Sequence, residues 1–461
     1  MKRIAILTAG GDTPALNATI EGAVQRANQL RLEVFGIIKG FSGLLNPQVP
    51  HVHLNPLFQC IPELDGTRGG TILGASRDYV DGEDSAMISR VAGRLASLQV
   101  DGLICVGGDG TLNGMQPLCA YLPCVLAPKT IDNDLGLNYP EEAGEWIRHA
   151  AETPRGYVVR KQEGRDFSLD EMVNYVTPGF ATAVYVSAAS IQRIRTTAES
   201  HRRIAIVEVM GRDSGMIALG TAYGQPDLIL VPESAVDPDA LVERVLNILD
   251  LQKHAVLCVS EGICDTEGQI LGAVTASKDP AGNLQYTGAA EAVKRLLVKH
   301  IGDAFFTRKR RNESADAAVF VRKIGHTQRG GRPILFDRYH ASQLGGKAVE
   351  LLAEGLHNRV STLQYRNGGL AVDSIDANKL RDRYNTIHAR PLSTTFYDPK
   401  RFQPSSKGIE YLRGIFTNAL GADDVESIRS LFDTGHLVHR YDSVNIDVDK
   451  RIRRVSVSEE E

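Results

Sequence analysis

The chain has 461 residues, with 52 Lys+Arg against 56 Asp+Glu for a formal net charge of −4, and 43% of it is hydrophobic. A length of this order provides for two or three domains with buried cores, and so even a charge balance excludes a global basic field for nucleic acid or an acidic tail. With 23% charged and 6% aromatic residues, wholesale disorder is excluded as well.

Met1-Lys2-Arg3 followed by Ile4 to Leu7 resembles the start of a signal peptide, but Gly10-Gly11-Asp12 ends the apolar run too early. The run reads instead as a first strand, Arg3 to Thr8. Further β-rich runs follow at Val34 to Ile38, Leu103 to Val106, Val125 to Ala127, Ile204 to Met210, Leu228 to Val231 and Ala255 to Ser260. Between them lie helical patterns. In Ser85 to Leu98 the residues Ile88, Val91, Leu95 and Leu98 recur at helical spacing, and in Asp239 to Leu251 so do Leu241, Val245, Leu246 and Leu249. This alternation predicts an α/β fold with parallel sheets covered by helices.

The alternation lapses at Pro140-Glu141-Glu142, which opens a polar stretch through Asp170 that holds the only tryptophan, Trp146. It reads as an insertion. Beyond about Gly355 the pattern turns polar and irregular, apart from a helical stretch near Asp423 to Phe432, and the tail Val455 to Glu461 is expected to fray. The six cysteines show neither a CxxC pair nor a zinc spacing and are expected to be reduced thiols. No apolar stretch approaches the ~20 residues a membrane span needs, so the expectation is a cytoplasmic protein.

In parallel sheets ligands sit beyond the carboxyl ends of the strands, so the loops there are where chemistry is sought. They read AGGDTP, GGDGT, PKTIDND, MGR and SEG. Glycine and aspartate make ordinary turns after strands; five such loops together are harder to dismiss. In Thr8-Ala9-Gly10-Gly11-Asp12-Thr13-Pro14 the glycines let backbone N–H groups face a ligand, and Pro14 suits the first helical position. Gly107-Gly108-Asp109-Gly110-Thr111 repeats the device and adds a carboxylate able to hold magnesium against phosphate oxygens. Neither is a GxxxxGK[ST] loop. In Pro128-Lys129-Thr130-Ile131-Asp132-Asn133-Asp134 one loop provides a base for a sugar hydroxyl, a second acid, a hydroxyl and a cation, which is most of what phosphoryl transfer requires. GGDGT also occurs in NAD kinases and lipid kinases, but those readings leave PKTIDND and IGHTQRGG without a role.

Taken in order over roughly Met1 to Leu352, TAGGDTPALNA, RGGTILGASR, GGDGT, PKTIDND, TPGFATA, ESHRRIAIVEVMGR, the SEG at Ser260 to Gly262 and IGHTQRGG resemble the 6-phosphofructokinase family. The resemblance implies two Rossmann-like parallel-sheet domains with the active-site cleft between them, plus the insertion and a C-terminal extension. The expected division is 1–140 for phosphoryl-donor binding, 141–173 for the insertion, 174–328 for fructose 6-phosphate, 329–380 returning to the first domain, and 381–461 for the extension. It implies phosphoryl transfer to the 1-hydroxyl of fructose 6-phosphate with Mg2+, Asp132 being the general base and Asp134 standing beside it. Thr130 and Lys129 would meet the transferring group and Arg212 its charge. Asp109 would direct the metal, and Gly11, Arg77, Gly108, Gly110 and Thr111 would line the donor site. Met210, Gly211, Glu261, His326 and Arg329 would hold the sugar phosphate, with Arg203 reaching it from a neighbouring subunit of a homodimer or homotetramer.

The donor signature is mixed. Pyrophosphate-dependent relatives typically carry Asp after GGD and Lys before TIDND, and simple bacterial ATP enzymes carry Gly at both. Here the residues are Gly110 and Lys129, a pattern that resembles a longer ATP-dependent branch; Gly110 leaves room for a nucleotide, so ATP is the expected donor and pyrophosphate the alternative. Glu21 and Gln25 stand where bacterial effector sites carry arginines, although Arg195 matches another of that set. Phe320 replaces a common arginine for which Arg322 is a candidate substitute, and Phe41 replaces an aromatic hydroxyl near the adenine side. A non-catalytic paralogue that binds sugar phosphate is the rival of another class.

Overall fold

The computed structural model describes residues 1–419 apart from 77, 151–156, 163, 279–283 and 311–313. Arg77, the helix expected near Asp423 and the C-terminal tail lie outside the described residues. In chain order the strands are β1 (Arg3–Thr8), β2 (Glu33–Ile37), β3 (His51–His53), β4 (Gly102–Gly107), β5 (Cys124–Pro128), β6 (Trp146–Ala150) and β7 (Tyr157–Lys161). They continue with β8 (Ile204–Val209), β9 (Leu228–Leu230), β10 (Ala255–Ser260), β11 (Ala273–Lys278), β12 (Leu284–Thr287), β13 (Val319–Lys323), β14 (Arg359–Arg366), β15 (Gly369–Asp376), β16 (Tyr397–Asp398) and β17 (Gln403–Pro404).

The first sheet has the order β15-β14-β5-β4-β1-β2-β3. Its centre is parallel and its edges β3 and β15 are antiparallel. Ile4, Ala5, Ile6 and Leu7 are all fully buried, the continuous apolar run expected of a strand covered on both faces. One cover is made by the helices Leu16–Gln29 and Leu335–Ala353. They cross at glycine, where a Cβ on Gly22 would lie 2.0 Å from the Ser342 carbonyl oxygen and one on Gly345 2.0 Å from that of Thr19. The second sheet, β13-β8-β10-β9, is parallel throughout. The helices Phe180–His201, Pro238–Gln252 and Ala289–Ile301 accompany it, each burying one apolar face.

Two local expectations are corrected. The first helix begins at Leu16, so Pro14 precedes it instead of opening it. The chain beyond Gly355 is also more regular than its polarity suggests: β14 pairs in parallel with β5, and β15 turns back along it as the sheet's edge. An edge strand buries only part of its surface, so β15 carries no apolar run for a sequence reading to find. The insertion forms the antiparallel pair β6–β7 and is fastened by Glu142. That carboxylate is buried, receives the Asn138 amide at 2.5 Å and its side-chain nitrogen at 2.9 Å, and pairs with Lys161. The described cysteines are free. Among the described residues no helix is long and apolar enough to cross a membrane.

Candidate active site

Loops at the carboxyl ends of β1, β4 and β5 and of β8 in the second sheet line a single cleft of about 320 Å³. On the first-sheet side, Gly10 has φ +80° and its amide donates to the Ser76 carbonyl at 3.0 Å. Gly11 follows so closely against Arg329 that a Cβ would lie 2.6 Å from the guanidinium Nη1. Gly108 caps the short helix Asp109–Met115. Thr111 packs over Gly107, while Gly110 is exposed with open space where a Cβ would stand. Phe41, fully buried, forms part of the same wall.

The loop after β5 is built from short-range hydrogen bonds. The Thr130 hydroxyl donates to Asp134 Oδ1 at 3.0 Å and accepts the Asp132 amide at 3.1 Å. Asn133 takes the left-handed conformation, φ +53°, which Asn tolerates better than most residues. Asp132 and Asp134 flank it, are both buried and both line the cleft. Among the described residues Asp132 Oδ1 has no hydrogen-bond partner. Burial pushes both carboxyls above the ordinary range. For Asp134, at about 7, the charges of Asp109 and Asp132 add to it; for Asp132, burial outweighs the opposing pull of Arg329 and Arg212. Lys129, also buried, donates from Nζ to the Gly11 carbonyl, and burial, aided by Arg329, lowers it to about 8.

On the second-sheet side, Gly211 has φ +146° and its Cβ position is 2.5 Å from the Ser214 carbonyl oxygen, so the turn after β8 requires glycine. The Arg212 amide donates to Glu261 Oε1 at 3.2 Å. Glu261 is buried, which raises it to about 7 with Asp132 contributing. The Met210 amide donates to Gln328 Oε1 at 2.9 Å, and Gln328 Nε2 donates to Ser187 at 2.8 Å. Arg329, next in the chain, lines the cleft and donates to the Asp12 carbonyl at 3.4 Å.

The cleft thus gathers Gly11, Gly108, Asp109, Gly110, Thr111, Lys129, Thr130, Asp132, Asp134, Arg212 and Arg329. Gly211 and Glu261 adjoin through Arg212, and Met210 through Gln328. His326 is exposed on the turn Gly325–Gln328 outside the cleft lining. Arg203 precedes β8 whereas Met210 follows it, and at ~3.3 Å per residue this places Arg203 roughly 20 Å from the Met210-Gly211 turn. Arg322 is exposed and lies over the Phe320 ring at 5.7 Å. Arg195 is tied within the chain to Asp227 at 3.3 Å and to the Gln225 carbonyl.

Sequence reasoning missed Gln328, whose buried carboxamide orients the Met210 main chain, and Arg390, whose Nη2 donates to the Asn133 carbonyl at 2.6 Å. Gln328 sits inside IGHTQRGG and was within reach of a motif reading. Arg390 lies in a stretch with no periodicity, and nothing local announces it. Among the described residues no group of three His, Cys, Asp or Glu is arranged to cage a metal ion.

The chain matches the family model described as phosphofructokinase over residues 3–138 and 169–352. An ATP-dependent 6-phosphofructokinase of Listeria welshimeri is 33% identical over 375 residues, covering 81% of this chain and 89% of that protein. ATP-dependent 6-phosphofructokinase 2 of Streptomyces coelicolor is 35% identical over 370 residues, covering 78% and 91%. Among solved structures, a pyrophosphate-dependent phosphofructokinase from Marinobacter aquaeolei superposes with a TM-score of 0.66 at 17% identity, covering 91% of this chain and 92% of that one.

Proposed function

The chain belongs to the phosphofructokinase family, and from that premise we propose that it transfers the terminal phosphoryl group of ATP to the 1-hydroxyl of fructose 6-phosphate, giving fructose 1,6-bisphosphate and ADP. The observation that carries this reading is Asp132: a buried carboxylate with one oxygen unpartnered among the described residues, lining a cleft walled by two glycine turns. In the reaction the 1-hydroxyl proton passes to Asp132 as the sugar oxygen bonds to phosphorus and the bond to the ADP oxygen breaks. A raised proton affinity suits a group that must take that proton near neutral pH.

The other roles belong to the same proposal. Thr130 and Lys129 meet the transferring group, and the Arg212 guanidinium meets its transition-state charge. Glu261, Met210 and Gly211 hold the sugar, with Arg329 and His326 on its phosphate. Gly11, Gly108, Gly110 and Thr111 line the donor side. A magnesium ion fits the donor set as one shared with substrate phosphates: Asp109 is a single half-buried carboxylate at the cleft, the arrangement magnesium accepts when phosphates and water complete its shell. When bound, it neutralises phosphate charge.

The same reading takes in a glycolytic, cytoplasmic setting and a division at residues 140, 173, 328 and 380. A homodimer or homotetramer is supported by Arg203, which stands at the opposite end of β8 from its own sugar-side turn and is suited to the cleft of a neighbouring copy. Pyrophosphate as donor is the second reading, favoured by Lys129; Gly110, with open space beside it, favours ATP. Initial rates with ATP and with pyrophosphate, at equal fructose 6-phosphate, test the proposal: faster transfer from pyrophosphate selects the second reading, and none from either donor defeats both.

A further inference from the structure

The loop that carries the two cleft carboxylates is held from behind by groups outside the cleft. Arg390 is 1% exposed. Its Nη2 donates to the Asn133 carbonyl at 2.6 Å, its Nη1 to the Asn174 carbonyl, and its backbone amide to the Asp134 carbonyl at 2.5 Å. Tyr411, also fully buried, accepts Asn133 Nδ2 at 2.6 Å and donates its hydroxyl to the Tyr175 carbonyl at 2.9 Å. The Thr177 amide donates to Asn133 Oδ1 at 2.8 Å. The carbonyl and both ends of the carboxamide of Asn133 are therefore engaged, at the one residue between Asp132 and Asp134, and that residue is in the left-handed conformation.

Such a clamp is costly. Among the described residues no carboxylate pairs directly with the Arg390 guanidinium, and burial weakens its hold on its proton, opposed at longer range by Tyr411, Glu142 and Asp134. Burying a cation costs free energy that its hydrogen bonds to two carbonyls must offset, so a charge kept here points to a task beyond packing. The next residues extend the argument across the cleft. The Leu392 amide donates to Glu233 Oε1 at 2.7 Å, and both Glu233 oxygens accept the Gly215 amide, at 3.0 and 3.1 Å, just after the Gly211-Arg212 turn. Arg390 to Leu392 thus form a strap bonded to the base-bearing loop on one side and to the sugar-side turn on the other.

We propose that Arg390, together with Tyr411, is a positioning residue that locks Asn133 in its left-handed conformation and so aims the Asp132 and Asp134 carboxylates together into the cleft. The inference rests on the phosphoryl-transfer reading of that cleft. If Asn133 relaxes toward an extended conformation, the peptide joining it to Asp134 rotates and the Thr130–Asp134 hydrogen bond is lost. Substrates still bind, through groups on other loops, but the base is misaimed; small displacements of a reacting group cost on the order of 10²-fold in rate.

The test is kinetic, on the full chain, with Arg390→Met, Arg390→Lys and the near-isosteric Tyr411→Phe, each checked for a wild-type melting transition. The expected result is kcat lower by roughly 10–100-fold in Arg390→Met and several-fold in Tyr411→Phe, with KM for ATP and fructose 6-phosphate within about threefold of wild type and Arg390→Lys recovering part of the loss. If Tyr411→Phe and Arg390→Lys keep wild-type kcat, or if activity falls only in proportion to the folded fraction, the inference is overturned. A wild-type protein that transfers nothing from either donor overturns the phosphofructokinase reading and this inference with it; an active wild type with unaffected variants overturns this inference alone.

Discussion

Thr130 and Asp134 are joined by a 3.0 Å hydrogen bond from hydroxyl to carboxylate, so one of the two cleft acids is already engaged by the protein. The other, Asp132, keeps an oxygen that nothing among the described residues satisfies. This asymmetry supports the proposal that Asp132 takes the proton while Asp134 orients the loop. Asp132→Asn is expected to lower turnover by ~10²–10⁴, the usual worth of a positioned general base, and to change the KM for fructose 6-phosphate little. Steady-state kinetics check it; an equal loss in binding and turnover would make Asp132 a ligand instead of the base.

The acid side of the pH–rate profile carries a second test. Burial and the negative charge of Asp109 both raise Asp132 and Asp134, the latter to about 7. A base works only when ionised, so kcat/KM is expected to fall on the acid side at a pH above the ordinary carboxylate range, in the direction in which burial raises Asp132. Asp109→Asn removes a repelling charge, lowers both neighbours and moves this limb toward lower pH, whatever else it does to the rate at the plateau. A limb that stays in place or moves upward would contradict the electrostatic account. The sign for stability is opposite to that of an ordinary salt-bridged carboxylate: the native state holds these protons more tightly, so their contribution to stability declines as pH rises from the usual carboxylate range toward 7.

On the proposed reading, donor choice turns on Gly110. A Cβ there meets nothing within 4 Å, so Gly110→Asp is expected to fold normally and to add a carboxylate on the donor side. At effective dielectric values near 20, two like charges ~4 Å apart repel by about 4 kcal/mol, enough to reduce ATP use by two orders of magnitude or more. Parallel assays with the two donors should show the ATP rate falling further than the pyrophosphate rate; equal losses would separate this position from donor selection.

The insertion offers a test of stability away from the chemistry. Glu142 is 1% exposed, accepts two hydrogen bonds from Asn138 and pairs with Lys161, itself partly buried. Glu142→Ala leaves those donors unsatisfied and is expected to destabilise the fold by about 2–3 kcal/mol. Thermal unfolding at neutral pH would register this as a melting temperature lower by several degrees. An unchanged transition would show that the Glu142 contacts are formed at no net gain.

The buried strands and the loops at their ends were legible in the sequence. Ile4 to Leu7, Leu103 to Val106 and Ala255 to Val259 are continuous apolar runs because both faces of a parallel sheet are covered, and turn chemistry marks where they stop. The hairpin β14–β15 was not legible, since its outer strand is only partly buried and its residues alternate without a strong apolar face. Gln328 was named only as part of a motif, because its work depends on a serine 141 positions away.

Periodicity and turn chemistry are properties of neighbours along the chain, so the sequence alone determined the α/β alternation and which reactive groups follow which strands. Whether those groups meet depends on contacts between distant segments, and this only the tertiary structure decided. Asn133 and Arg390 are separated by 257 positions, and no local pattern records that the guanidinium of one closes on the carbonyl of the other. The free energy of that contact comes from burial and hydrogen bonding that exist only once the two segments have been brought together.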